Sequence, residues 1–283
     1  KYEQAWKYQR VLAEHSHQTK KAGSAVGDQV LVLQHPRIFT LGRGATRDNL
    51  KFNVDDHSIE DVPNVLRVER GGEVTWHGPG QLVVYPILDL NNHKKDLHWY
   101  TTQLEESVIN MLKNPPYNIP RIGRHDINTG VWITKQQHLQ QQQQQQQHSK
   151  ISAIGVTASR WITMHGLSLN LHVDFRDYQY IIPCGIEETG TVKSKAKAEI
   201  EGKSEGESSQ STFGVTSLHE HVEVEVEVDK NEVETSKFVQ DAVDNYITSF
   251  SETFYNQADN LNIIQGEQCI SELEHLVQLY PEV

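Results

Sequence analysis

The chain has 283 residues, 36% of them hydrophobic, and a formal net charge of −12 at pH 7. This length and apolar share suit one large domain or two small ones with an ordinary core. Acidic residues concentrate after residue 187, and the earlier part carries a small positive charge. Nucleic-acid binding requires a dense basic face, so we expect none, although a local basic patch could dock an acidic protein partner.

Cysteine content and hydropathy exclude further classes. The two cysteines, Cys184 and Cys269, are too few for a disulfide framework and suit a reducing compartment. The fifteen histidines are scattered, whereas a zinc site needs cysteine or histidine pairs at short spacing, so we expect no metal. No apolar run is as long as a membrane span, so we expect no transmembrane segment and no membrane partner.

Hydrophobic spacing predicts the elements in chain order. The predicted helices cover 1–20, 98–112 and parts of 238–279, and the predicted strands cover 29–33, 38–41, 65–68, 82–88, 128–134, 151–156 and 167–173. Pro115-Pro116 ends the middle helix, because proline lacks the N–H that continues one. Strands dominate the front of the chain and helices close it without regular alternation. This pattern predicts an α+β fold with a mixed β-sheet and flanking helices.

Two stretches have low complexity. Eight consecutive glutamines fill 140–147, and lysine, glutamate, serine and glycine dominate 187–211. Polar tracts cannot bury apolar surface, so we expect a single domain, 1–283, with disordered insertions at about 136–149 and 187–211. We interpret the glutamine tract as a loop insertion that costs little stability. The alternative is that the tract binds another protein. Residues 222–228 alternate valine with glutamate, which fits a half-solvated strand or a charged linker.

The segment 70–81 combines glycine with polar residues. It contains four glycines and one proline, and glycine lets a ligand approach the main chain closely. Arg70, Thr75 and His77 stand among them as possible polar contacts. A tight hairpin turn is the structural alternative, but a turn rarely needs so many glycines beside an arginine and a histidine. We therefore predict a binding site here.

Two further positions suggest covalent chemistry. Lys150 begins a run of small residues, and Cys184 stands between Pro183 and Gly185 on a predicted turn. Taken alone, the first fits a solvated charge and the second an inert buried thiol. Together they predict a thiolate nucleophile, Cys184, whose pKa is lowered by the Lys150 ammonium, which also carries protons.

Six ordered motifs resemble those of the lipoyl(octanoyl) transferases. They are Leu-Gln-His-Pro-x-x-Phe-Thr-Leu-Gly-Arg at 33–43, Arg-Gly-Gly-x-x-Thr-x-His-Gly-Pro-Gly-Gln at 70–81, Gly-Val-Trp-Ile at 130–133, Lys-Ile-x-Ala-Ile-Gly at 150–155, His-Gly-Leu-x-Leu-Asn at 165–170 and Pro-Cys-Gly at 183–185. A weaker similarity surrounds Val215-Thr216-Ser217-Leu218. The resemblance implies the α+β fold of biotin and lipoate ligases.

The resemblance also implies a reaction without cofactor or metal. By this resemblance an octanoyl (or lipoyl) group would pass from acyl carrier protein to Cys184 as a thioester. It would then pass to a lysine of a lipoyl domain, in 2-oxoacid dehydrogenases or the glycine cleavage H protein. The resemblance also implies that Lys150 adjusts the reactivity of the Cys184 nucleophile. The implied substrate-binding residues are Arg70, Gly71, Gly72, Glu73, Val74, Thr75, Trp76, His77, Ala153, Ile154, Gly155, Gly166, Leu167 and Ser168. A glutamine-rich insertion suggests a eukaryotic source, for which the resemblance implies a mitochondrial location.

Two alternatives remain open at this stage. An ATP-dependent lipoate or biotin ligase of the same fold activates a free acid as an adenylate and needs no cysteine. A non-catalytic binding module would need neither Lys150, Cys184 nor His77. The role of His77 is also open, between substrate positioning and proton acceptance from the acceptor lysine.

Overall fold

The computed structural model describes residues 1–24, 27–54, 61–126, 128–138, 144–183, 211–222, 237–255, 261–264 and 277–280. Its helices are α1 (Tyr2–Lys21), α2 (Leu97–Lys113) and α3 (Lys237–Phe254). Its strands are β1 (Asp28–Leu33), β2 (Ile38–Leu41), β3 (Asn64–Arg67), β4 (Val74–His77), β5 (Gln81–Ile87), β6 (Ile122–Gly123), β7 (Val131–His138), β8 (Gln144–Ser159), β9 (Ile162–Asn170), β10 (Ser211–Val215) and β11 (Leu261–Ile264).

The large sheet is mixed, as predicted. Its strand order is β11-β1-β5-β9-β8-β7-β6, and β10 pairs with β8 outside this path. The β1–β11 and β8–β10 pairs are parallel, whereas the other neighbours are antiparallel. A smaller sheet has the order β3-β2-β4. The α+β prediction is therefore confirmed.

Strand β5 shows why the sheet is covered on both faces. Every one of its residues is buried. Leu82 and Val84 pack into the core formed with α2 and α3, while Val83 and Tyr85 pack against α1. Successive side chains of a strand point to opposite faces, so a continuous apolar run is expected where helices cover both. The result is a sheet between α1 on one face and α2 with α3 on the other.

Several predicted elements match the structure closely. The three predicted helical regions correspond to α1, α2 and α3, and α2 ends at Lys113, before the two prolines. Asp96 caps α2, accepting hydrogen bonds from the backbone N–H groups of His98 at 2.9 Å and Trp99 at 3.0 Å. Strands β4, β6, β10 and β11 were not predicted.

None of the described helices is long and apolar enough to cross a membrane.

The prediction of disorder over 136–149 is wrong at both of its ends. Strand β7 continues to His138 and β8 already begins at Gln144, and these two residues pair across the hairpin. The reason is that a β-ladder joins backbone N–H and C=O groups, so a polar tract can extend an established hairpin without burying apolar side chains. Residues 139–143, nearly all of the predicted insertion at 187–211, and residues 223–228 lie outside the described residues.

Candidate active site

A cavity of about 240 Å³ lies where the glycine-rich segment meets β8 and β9. Its walls come from the start of α1, the segment 70–77, the residues before β7, and the facing parts of β5, β8 and β9. The lining residues are Tyr2, Arg70, Gly72, Glu73, Val74, Thr75, His77, Tyr85, Asn128, Thr129, Lys150, Ala153, Ile154, Gly155, His165, Gly166, Leu167 and Ser168. The three separate segments predicted to bind substrate are thus brought to one place.

Glycines allow these segments to approach each other. The N–H of Gly71 donates to the carbonyl of Val156 at 2.9 Å, which ties the glycine-rich segment to β8. A Cβ atom on Gly155 would lie 2.8 Å from the carbonyl oxygen of Gly71, and one on Gly166 would lie 2.2 Å from that of Val84. Real Cβ contacts do not reach these distances, so only glycine fits at either position. Gly71 itself supports the wall without lining the cavity.

Trp76 is the exception within the predicted segment. The side chain is 2% exposed and packs with Phe39 and Val173 on the other side of β4, where its Nε1 donates to Oδ2 of Asp177 at 2.7 Å. Its neighbours Thr75 and His77 line the cavity. Alternate residues of a strand face opposite sides. The structure therefore corrects the assignment of the Trp76 side chain to substrate contact: it belongs to the core.

Arg70 holds the glycine-rich segment against β2. Its Nη2 donates to the carbonyl of Thr40 at 2.7 Å and to the hydroxyl of the same residue at 2.9 Å. Its Nη1 donates to the carbonyl of Gly71 at 2.9 Å. A planar guanidinium with several donors can fix backbone in this way and still present its charge to a cavity.

Lys150 lies at the point of β8 where three strands meet. Its backbone pairs with Trp132 on β7 and Val215 on β10, and its carbonyl accepts from the N–H of Thr216 at 3.0 Å. The buried side chain donates from Nζ to the carbonyl of Thr129 at 3.0 Å, and Nζ lies 4.7 Å from the centre of the Trp132 ring. A cation over an indole face is stabilised electrostatically. The ammonium is thus fixed at the cavity wall, and the weaker motif at 215–218 supports its strand.

His77, Tyr2 and Tyr85 line the cavity as a group of buried rings, and His35 packs against all three. Burial, together with the nearby Arg70 charge, lowers the pKa of His77 to about 3, and its Nδ1 is 2.8 Å from Oε1 of Gln81. Burial also holds the pKa of His35 well below its ordinary value, and its Nε2 is 2.8 Å from the hydroxyl of Tyr85. The Tyr2 ring centre lies 4.7 Å from that of His35. Both imidazoles are therefore uncharged at neutral pH.

Tyr2, Tyr85, Asn128, Thr129 and His165 line the cavity but were not predicted as site residues. His165 is fully buried, has a left-handed φ of 57°, and places Nε2 3.7 Å from Oε1 of Glu69. His165 is the first residue of the motif at 165–170, so the sequence contained a signal that could have identified it. Nothing local marks Tyr2, which α1 brings to the cavity through tertiary packing.

Cys184 lies outside the described residues, so the pairing of its thiol with Lys150 remains a prediction. The described range before it, 144–183, ends at Pro183. Within the described residues, no group of three or more histidine, cysteine, aspartate or glutamate side chains is placed to hold a metal ion.

Comparison with known proteins identifies the family. The model of the lipoyl protein ligase A/B catalytic domain matches residues 1–234. The chain belongs to this family. It is 39% identical over 190 residues to a chloroplastic octanoyltransferase of Arabidopsis thaliana, covering 67% of this chain and 61% of that protein. It is 43% identical over 164 residues to the octanoyltransferase of Nostoc punctiforme, covering 58% and 63%. The chain thus spans about three fifths of the length of these curated relatives.

Solved structures share the fold. A bipartite lipoate protein ligase from Thermoplasma acidophilum superposes with a TM-score of 0.56 at 13% identity, covering 98% of this chain and 87% of that one. Lipoate-protein ligase A bound with ATP gives 0.52 at 12% identity, covering 96% and 90%. The predicted relation to the lipoate ligase fold is confirmed.

Proposed function

We propose that this chain is an octanoyltransferase of protein lipoylation that works through a thioester on Cys184. In the first step the Cys184 thiolate attacks the carbonyl of octanoyl-acyl carrier protein; a new C–S bond forms and the carrier thiolate leaves. In the second step the neutral amine of a lipoyl-domain lysine attacks that carbonyl. The amide forms, the Cys184 thiolate leaves, and the amine nitrogen releases one proton. Neither step requires a nucleotide or a redox partner.

The buried Lys150 ammonium beside the cavity is the observation that carries the proposal. Its Nζ is held by the Thr129 carbonyl and the Trp132 ring, so a positive charge stays at a fixed point of the wall. A fixed ammonium lowers the pKa of a nearby thiol and increases its thiolate fraction. The charge also suits a carbonyl that becomes an oxyanion during attack. The names of the octanoyltransferase relatives support the same reaction.

The cavity walls suit an alkyl chain. The small side chain of Ala153 leaves space that a larger one would fill, while Ile154 and Leu167 offer apolar contact. Burying eight carbons contributes at most about 6 kcal/mol, at ~0.8 kcal/mol per methylene. This is enough for the depth of the cavity to select among chain lengths.

An ATP-dependent ligase is the second candidate, favoured by the likeness to lipoate-protein ligase A bound with ATP. Such an enzyme forms an acyl-adenylate and has no use for Cys184. The two candidates therefore differ in whether a protein-bound thioester exists. The likeness at 12% identity extends to the fold alone, whereas the octanoyltransferase relatives share about 40% of their aligned residues with this chain.

Mass spectrometry of the intact chain tests the proposal. After incubation with octanoyl-acyl carrier protein, the wild type should gain one octanoyl mass, located on the Cys184 peptide. Cys269→Ser should gain the same mass, and Cys184→Ser should gain none. Transfer of free octanoate with ATP by Cys184→Ser would instead establish the ligase. Lys150→Met should remain folded yet transfer octanoyl far more slowly, and near-normal turnover would contradict the role of Lys150.

Partners and location complete the proposal. The donor is octanoyl-acyl carrier protein, and the acceptors are lipoyl domains of 2-oxoacid dehydrogenases and the glycine cleavage H protein. The relatives are chloroplastic and bacterial proteins, which supports an organellar location in general. The finer expectation of a mitochondrial location is tested by the position of the fluorescently tagged full-length protein in its own cells. Fluorescence confined to another compartment would exclude it.

A further inference from the structure

The residues just before β7 are tied to helix α2 by one buried carboxylate. Glu105 lies on α2, and its Oε1 accepts from the backbone N–H of Gly130 at 2.8 Å. Its Oε2 accepts from Nε of Arg124 at 2.9 Å. The Glu105 side chain is 9% exposed, so both oxygens are used away from bulk water. The carboxylate is therefore paired and hydrogen-bonded, as a buried charge requires.

The peptide unit that Glu105 holds is the same one that receives Lys150. The carbonyl of Thr129 and the N–H of Gly130 belong to one planar group. Glu105 accepts from the N–H, and the carbonyl accepts from Nζ of Lys150 at 3.0 Å. Fixing one end of a planar unit fixes the direction of the other. A carboxylate at the N–H also polarises the peptide and makes its carbonyl a stronger acceptor.

We propose that Glu105 is a positioning residue for Lys150, acting through the Thr129–Gly130 peptide. The inference rests on the proposed function, in which the Lys150 ammonium sets the thiolate fraction of Cys184. Glu105 does not line the cavity, so it acts through the peptide and not on the acyl group. Arg124 binds the other carboxylate oxygen of Glu105, so it does not compete for the oxygen that binds Gly130.

The neighbouring Glu106 provides a matched control. Its Oε2 accepts from Nη2 of Arg124 at 2.5 Å, but the contact to Gly130 belongs to Glu105. Glu106 lies on α2, like Glu105, so a substitution of Glu106 removes one ion pair between this helix and Arg124. The hydrogen bond from Gly130 to Glu105 remains. An effect seen on substitution of Glu105 but not of Glu106 is therefore due to the hydrogen bond with the Thr129–Gly130 peptide and not to an ion pair with Arg124.

The pH dependence of Cys184 alkylation tests this role without any octanoyl substrate. Iodoacetamide is reacted with the full chain across a range of pH, and modification of the Cys184 peptide is followed by mass spectrometry. Lys150→Met and Glu105→Met should both move the profile to higher pH, with roughly tenfold slower alkylation at neutral pH for Glu105→Met. Glu105→Gln retains an amide oxygen for Gly130 and should recover most of the wild-type profile. Glu106→Gln should leave it unchanged.

The outcomes separate this proposal from the proposed function. A profile moved by Lys150→Met but not by Glu105→Met would overturn the role of Glu105 alone. A profile that Lys150→Met does not move would overturn both roles, whereas absence of the octanoyl adduct in the wild type would overturn the reaction only. If Glu105→Met does not fold, Glu105→Asp keeps the charge but shortens the side chain. A smaller shift to higher pH is then expected, and no shift would overturn the proposal.

Discussion

Gly130 and Ser152 approach so closely across β7 and β8 that a Cβ atom on Gly130 would lie 2.5 Å from the Ser152 carbonyl oxygen. Gly130 also has a φ of +127°, which side-chain-bearing residues rarely adopt. The same Cβ would lie 3.4 Å from Cε of Lys150. One position therefore sets both the entry into β7 and the space for the lysine.

Gly130→Ala should destabilise the protein. The unfavourable backbone conformation costs about 1–3 kcal/mol, and the contact with Ser152 adds to it, so we expect a loss of at least about 2 kcal/mol in the free energy of unfolding. Urea denaturation measures the loss. Gly123→Ala is the control, because no atom lies within 4 Å of a Cβ at Gly123 and the change should stay below about 0.5 kcal/mol. Equal stabilities for the two variants would contradict the prediction.

Ala153→Phe should shorten the acyl chain that the protein accepts. The added ring projects from a residue that lines the cavity and occupies space predicted for the alkyl tail. We expect the ratio of octanoyl to butanoyl loading on Cys184, measured by intact mass, to fall about tenfold or more. Ala158→Phe places the same ring on β8 at a residue that does not line the cavity. If both variants keep the wild-type ratio, the cavity does not hold the chain.

Mild acid should destabilise the wild type through His77. Burial and the Arg70 charge lower the pKa of His77 from 6.5 to about 3 in the folded state. Below pH 6.5 the unfolded chain takes up a proton that the folded protein does not, so the free energy of unfolding decreases as the pH falls. This group alone accounts for a loss of about 2 kcal/mol between pH 7 and pH 5.

His77→Gln should therefore show a shallower pH dependence than the wild type in urea unfolding at pH 7, 6 and 5. His98→Gln, at an exposed histidine on α2, should keep the wild-type dependence. Identical slopes for all three proteins would mean that His77 does not remain neutral in the fold. The histidine prediction concerns stability only and does not depend on the proposed reaction.

Local sequence patterns predicted most of the elements, because periodicity reports which faces are buried. The continuous apolar run at β5 is buried throughout, as a strand covered on both faces requires. Strand β11 has only four residues, and its position comes from parallel pairing with β1, more than two hundred residues earlier in the chain. No local signal specifies such a partner.

Cavity-lining residues were predicted where a motif contains them and were missed where packing brings distant parts of the chain together. Arg70, Lys150 and Gly155 lie in glycine-rich or small-residue segments, which can be recognised from the sequence alone. Tyr2 reaches the cavity only because α1 packs on the sheet. Trp76 was included because it lies inside a motif, although strand alternation between Thr75 and His77 would have placed it on the opposite face.

The glutamine tract and Lys150 belong to the same hairpin, in which Gln144–Gln147 of β8 pair with β7. Lys150 pairs with Trp132 near the base of the hairpin, and the described ladder runs outward from there to His138 and Gln144. A glutamine gained or lost in the tract is therefore accommodated toward the tip, and the pairing of Lys150 with Trp132 is preserved. Variants with one glutamine more or fewer in the tract should therefore keep the octanoyl-transfer rate of the wild type.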